Sequence, residues 1–220
     1  VLMRMPAWQS NFTLFTSDVE TSSNSAKVNN AVAGEYNRLA GESSTQEEQQ
    51  KWAKKSQPYS EKALKLHPTY KNAFLQKGNS AFYLRAYEKA INAYKAALRL
   101  DPNFADAKNN LALAYRAAGQ YFGEEKQDLT KALRYLKDAY KLQPTDYETL
   151  RLLGVAYGVT GRADQALAFF QKALKQKPNH ARAYYNVGAA YMQKGRMDSS
   201  QLFMDRAREL DSSLFESKSN

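Results

Sequence analysis

Along most of the chain, apolar residues recur at helical rather than alternating spacing. Leu150, Leu153, Gly154 and Tyr157 share one helix face, and Ala166, Phe170 and Ala173 share a face of the next. The pattern predicts short amphipathic helices arranged in pairs. Between pairs the same punctuation returns: ALRLDPNFADA at Ala97–Ala107 has near-copies beginning at Ala63, Ala139 and Ala173, and a weaker one at Ala207. Its prolines, Pro68, Pro102, Pro144 and Pro178, are separated by 34, 42 and 34 residues, and a further 34 leads to Ser212. A proline there stops the preceding helix, because its ring cannot continue the hydrogen-bond ladder. Asp or Asn nearby is suited to capping the helix that follows.

Small and large residues ride on this period. Ala63, Ala97, Ala139, Ala173 and Ala207 stand five residues before each anchor, and Ala90, Ala132, Ala166 and Ser200 stand twelve before the last four. Tyr94, Leu136, Phe170 and Met204 stand eight before the same four; Gly78, Ala112, Gly154 and Gly188 follow the four prolines by ten. Small side chains let two helices approach closely, and the large ones fill the space beside them. Gly119, Gly161 and Gly195 are expected in the tight turn between the two helices of a pair.

These residues resemble the tetratricopeptide repeat (TPR) family. One matching unit runs Phe74, Lys77-Gly78, Ala81, Ala90, Tyr94, Ala97, Pro102, and another Leu150, Leu153-Gly154, Tyr157, Ala166, Phe170, Ala173, Pro178. The resemblance implies an all-α fold, a right-handed superhelical solenoid of antiparallel helix hairpins, because no pair can bury its apolar face alone. The expected divisions are an N-terminal segment 1–25 with an orphan capping helix, a divergent repeat 26–70 with an insertion, repeats 71–104, 105–146 (with a second insertion), 147–180 and 181–214, and a tail 215–220. The insertions, eleven residues around Ala40–Gln50 and eight around Gly119–Thr130, would lengthen hairpin helices, with loop where Gly and Ser gather. The residues after Ser212 are expected to fray.

The chain has 220 residues, no cysteine, two histidines (His67 and His180, both in the recurring turn) and a net charge of +10. Residues 71–220 contribute +9 of this, spread over helical faces. The absence of cysteine excludes disulfides and thiolate chemistry. No convergent nucleophile, acid/base pair or metal-ligand spacing is present, so no enzyme activity, cofactor, metal or small-molecule substrate is expected. Tyr36, Tyr94, Tyr115, Tyr157 and Tyr191 have core places in the repeat, which leaves base stacking little to use; nucleic acid or anionic lipid binding is the weaker electrostatic alternative.

The resemblance implies a concave inner wall built by the first helix of each pair, holding a peptide or protein segment. Its candidate residues are Asn72, Gln76, Asn79, Tyr83, Asn109, Asn110, Leu113, Arg116, Arg151, Val155, Arg182, Tyr185 and Asn186. Side-chain amides can bond both donors and acceptors of an extended backbone, and Arg151 and Arg182 could hold a carboxylate. Asn79 and Asn110 match the asparagines of the carboxylate clamp in chaperone-binding members, but Leu75, Glu148 and Leu152 stand where its cations belong. The segment Met5–Asn30, through Trp8, Leu14-Phe15 and Ser25-Ala26-Lys27, is similar to the post-membrane junction of TPR-containing multipass O-mannosyltransferase-like proteins. That implies a membrane-associated scaffold, the extracytoplasmic soluble part of a larger protein with spans upstream of Val1, or an acceptor-recognition domain for such an enzyme; a cytoplasmic scaffold is the alternative.

Overall fold

The computed structural model describes residues 21–216. The expected capping helix, with Trp8 and Leu14-Phe15, lies outside them. Among the described residues there are ten α-helices and no strand: α1 (Ala26–Glu42), α2 (Gln46–Leu66), α3 (Lys71–Tyr83), α4 (Tyr87–Leu100), α5 (Ala105–Glu124), α6 (Leu129–Leu142), α7 (Tyr147–Val159), α8 (Ala163–Gln176), α9 (Ala181–Gln193) and α10 (Met197–Leu210). A 3-10 turn, Ser212–Phe215, follows in place of a frayed end, and Phe215 packs edge-on against Tyr185. The chain divides within α5 into two compact units, Val1–Ala114 and Tyr115–Asn220.

The recurring punctuation is one hydrogen-bonded device used five times. The backbone N–H groups of His67, Asp101, Gln143, Lys177 and Asp211 donate to the carbonyls of Ala63, Ala97, Ala139, Ala173 and Ala207. In the four complete turns, Tyr70, Phe104, Asp146 and His180 then donate to the carbonyls of His67, Asp101, Gln143 and Lys177. All five alanines are buried. Asp146 caps α7 through Thr149 N–H, whereas Asp101 and Asp211 tie the turn itself by accepting from Asn103 and Ser213.

The turns inside hairpins have a second device. Ala86, Arg162 and Arg196 donate backbone N–H bonds to the carbonyls five residues earlier, of Ala81, Tyr157 and Tyr191. The chain crosses the left-handed region just before them, at Gly161 (φ 73°) and Gly195 (φ 69°). Arg85 takes the same place at φ 59°, a conformation that costs an L-residue about 1 kcal/mol or more.

In the first unit, α1 packs on α2, α2 on α3, α3 on α4, and the first helices α1 and α3 also touch. The insertion at Ala40–Gln50 is helix except for Ser43–Thr45, and Thr45 caps α2 through Glu48 N–H. α2 runs through Pro58, which removes one ladder bond. The core is built on small residues, Ala33, Ala53, Ala73, Ala81 and Ala90, with Val32, Ile91 and Tyr94 between them.

In the second unit Gly154 lies under the Phe170 ring, Tyr157 stacks on Phe169, Gly188 meets Met204 and Tyr191 stacks on Phe203. Rising positions on one helix meet falling positions on the next, so each pair is antiparallel. Leu150, Leu153 and Val187 are fully buried among these contacts.

One expectation is corrected here. Gly119 is not in a hairpin turn but inside α5, where a Cβ would lie 2.5 Å from Leu136 Cγ. α5 has 20 residues where α7 and α9 have 13, because the insertion adds about two turns to this helix. Leu136 therefore meets a small residue two turns beyond Ala112, and the turn falls at Glu125–Asp128, with Gln127 at φ 53°.

These contacts rank the glycines. A methyl group on Gly154 would sit 2.4 Å from Phe170 Cε1, and this buried, rigid ring cannot swing aside as a flexible chain end would. On Gly188 it would meet the flexible Met204 side chain at 3.0 Å. Gly154→Ala should cost about 1–3 kcal/mol in urea unfolding. Gly188→Ala should be within about 1 kcal/mol of neutral, since the gain in helix propensity offsets the crowding.

Candidate functional site

The candidate wall residues fall in both units, and each set has its own geometry. In the first unit they are joined to one another. Asn37 Nδ2 donates to Gln76 Oε1 (2.9 Å), Asn79 Nδ2 reaches the same oxygen (3.4 Å), and Asn110 Nδ2 donates to Asn79 Oδ1 (2.9 Å). The Tyr94 hydroxyl donates to that Asn79 oxygen as well (2.9 Å). The run therefore crosses α1, α3 and α5 with an anchor from α4. Burial of Tyr94 drives its hydroxyl far above the ordinary tyrosine range, so it stays a donor.

Gln76, Asn79 and Asn110 are thus brought together, and part of their hydrogen-bonding capacity is spent inside the protein. Asn72 is half-buried, while Asn109 and Leu113 are exposed. Tyr83 is half-buried, its hydroxyl 2.6 Å from where a Cβ on Gly41 would stand. Asn37 was missed by sequence reasoning. Its only signal was a polar side chain at a buried helical position, one residue after an aromatic that fits the repeat.

In the second unit Arg116 is committed to the protein itself. Its Nη1 bonds both oxygens of Asp146 (2.9 and 2.8 Å), joining α5 to the start of α7. Asp146 also accepts from Thr149 N–H and Thr149 Oγ1 (2.9 and 2.6 Å). Burial pushes the Asp146 carboxyl up, but the bonds from Thr149 and Arg116 outweigh it and hold the group below the ordinary carboxylate range.

Arg151 and Arg182 do converge. They line a cleft of about 530 Å³ with Tyr147, Glu148, Asn179, His180, Ala181, Leu210, Asp211 and Leu214. Arg151 Nε donates to Glu148 Oε2 (2.8 Å), and Arg182 is exposed. The Tyr147 hydroxyl lies 3.3 Å from His180 Nδ1, and Lys177 Nζ sits 4.4 Å over the Tyr147 ring. Burial, then the charge of Glu148, raises Tyr147 above the ordinary tyrosine range, while Arg151 and Arg182 pull it down. The cleft is lined mostly by polar groups, a protonated hydroxyl, two guanidinium groups and the carboxylates of Glu148 and Asp211, with Leu210 and Leu214 from the end of the last hairpin as its apolar part. Val155, Tyr185 and Asn186 are not part of its lining; Val155 and Tyr185 are exposed, and Tyr185 is covered on one side by Phe215. Sequence reasoning missed the contribution of Leu210, Asp211 and Leu214, which come from the end of the last hairpin.

Family models described as TPR repeat and tetratricopeptide repeat match residues 78–119, 124–180 and 160–213. The chain belongs to the tetratricopeptide-repeat family. A stretch of 43 residues is 42% identical to the Hsp70-Hsp90 organizing protein of Triticum aestivum, covering 20% of this chain and only 7% of that protein. Among solved structures, YrrB, described as a TPR protein with an unusual peptide-binding site, is 22% identical with a TM-score of 0.63, covering 91% of this chain and 94% of its own. A MamA structure is 25% identical with a TM-score of 0.55 over 76% of this chain and 93% of its own. MamA from Desulfovibrio magneticus RS-1 is 18% identical with a TM-score of 0.56, over 84% and 97%. These likenesses show the TPR solenoid fold. Among the described residues of the TPR chain no cluster of metal-ligating side chains occurs, and no helix is long and apolar enough to cross a membrane.

The Arg116–Asp146–Thr149 junction carries a pH signature. A carboxyl whose folded pKa is depressed stabilises above its unfolded pKa of about 4, and that stability is lost as pH falls through the folded value. Asp146→Asn should lower stability at neutral pH by about 1–2 kcal/mol and flatten the acid limb of a stability–pH profile measured by urea unfolding.

Proposed function

We propose that this TPR chain is a non-catalytic scaffold that holds a peptide or protein segment against the first helices of its hairpins. The observation that carries the reading is the cleft of the second unit, where Arg151, Arg182, a tyrosine hydroxyl and two leucines line one cavity. An extended segment needs donors for its carbonyls, a cation for an acidic group and an apolar contact for a side chain; the cleft holds all three within one concavity. The amide run of the first unit offers a second stretch of polar wall. The name of YrrB's site and the short match to a chaperone-organizing protein support peptides as ligands without naming this chain's own.

A narrower reading, acceptor recognition for a membrane O-mannosyltransferase-like enzyme, rests on the junction resemblance, of which Ser25-Ala26-Lys27 lie among the described residues, with Ser25 capping α1. The reading frame upstream of Val1 tests it: hydrophobic spans there support it, and another soluble domain in their place counts against it.

The scaffold reading is tested by selecting peptides on the immobilised chain and measuring one by fluorescence anisotropy. Arg151→Ala with Arg182→Ala should weaken it about tenfold or more while far-UV circular dichroism stays unchanged. Unchanged affinity in the double variant would remove the cleft from the binding site.

A further inference from the structure

A second surface of the TPR chain has no part in the cleft. Tyr140, Phe169 and Tyr157 form a contiguous aromatic platform: Tyr140 meets Phe169 edge-on with centroids 5.5 Å apart, and Phe169 stacks on Tyr157 at 5.5 Å. The rings come from α6, α8 and α7. Three cations stand over them. Lys172 Nζ lies 5.1 Å from the Tyr140 ring and 5.2 Å from that of Phe169, and also donates to the Tyr140 hydroxyl (2.9 Å). Lys137 and Arg162 share the Tyr157 ring, at 5.8 and 5.9 Å.

No carboxylate among the described residues pairs with any of the three. The acids nearest in sequence are engaged elsewhere, Asp138 by Lys141 and Asp164 by Lys194. Three like charges held at one platform repel one another, and only the ring faces and water offset this. Their head groups already rest over the rings, so an anion arriving there orders little further side-chain freedom. All three cations are exposed.

We propose that Lys137, Arg162 and Lys172 form a docking surface for an acidic segment of a partner protein, separate from the peptide cleft. Charge complementarity selects an anion, and the aromatic faces select among anions. Tyr157 is only 4% exposed and its ring is covered by cations, so no free face is left for a base to stack on, as single-stranded nucleic acid requires. None of the platform rings is among the exposed large apolar side chains, so nothing in it would enter a bilayer. Two of the three cations are lysines, point charges that accept carboxylates in many orientations, which fits an extended run of Glu and Asp better than one oriented ligand.

The test uses fluorescein-labelled oligo-glutamate, with oligothymidylate of equal charge as competitor, at about 50 and about 200 mM salt. Oligo-glutamate should bind more weakly at the higher salt. Lys137→Gln/Arg162→Gln/Lys172→Gln should weaken it about tenfold, the roughly 1.4 kcal/mol that three exposed pairs of about 0.5 kcal/mol each supply. Lys54→Gln/Lys65→Gln/Lys89→Gln, which removes the same charge from exposed lysines of α2 and α4, should stay within about twofold, and Lys137→Arg/Lys172→Arg should retain binding. Equal loss in both triple variants, or no binding by the parent chain, would overturn the surface. Tighter binding of oligothymidylate, lost in the first triple variant, would make it a nucleic-acid site and overturn the choice of partner. Arg151→Ala/Arg182→Ala should leave oligo-glutamate binding intact, which separates failure here from failure of the cleft.

Discussion

The close approach of two helix backbones, made where one side chain is absent, is the constraint on which the hairpins depend. Phe170 occupies the space beside Gly154, Tyr94 that beside Gly78, and Leu136 that beside Gly119. Each pairing buries a large side chain against bare backbone, where any Cβ would collide. Packing at crystal-like density leaves no slack for such a collision, so the small residue and the large one are determined together. The rest of each hairpin follows: the alanines at the inter-hairpin turns let the next pair seat, and the glycines at positive φ turn the chain within a pair.

The insertion in α5 shows how firmly this rule holds. Extra residues could have bulged out as loop. Instead they join the helix, and Leu136 finds Gly119 two turns beyond the place expected for its partner. Preserving the small-to-large contact evidently outweighs preserving the turn position. Arg85 shows the converse economy, since a left-handed turn tolerates a non-glycine when the surrounding hairpin packing holds it there.

The polar and charged side chains differ in how much of them this packing leaves uncommitted. In the first unit the polar side chains on the wall are partly consumed by one another, which stiffens the wall and reduces what it can offer. In the second unit Arg116 is consumed by Asp146 and Arg151 is tied through its Nε to Glu148, while Arg182 stays exposed at the cleft. The cations on the aromatic platform are a third outcome: they rest on rings rather than carboxylates, so their charge stays available. One repeated scaffold thus presents surfaces of different chemistry, because the packed positions repeat and the exposed ones do not.

Sequence alone determined the helical period, the family and the buried alanines. These follow from side-chain size at fixed intervals, which local spacing records. Sequence also pointed to Arg151 and Arg182. It did not reveal that Arg116 faces Asp146, that Asn37 joins Gln76, that Gly119 lies inside a helix, or that Leu210 and Leu214 close the cleft. Those facts depend on which residues from separate helices meet. Charged and amide side chains are compatible with either solvent or a partner, so only the tertiary arrangement decides whether a given one is spent or free.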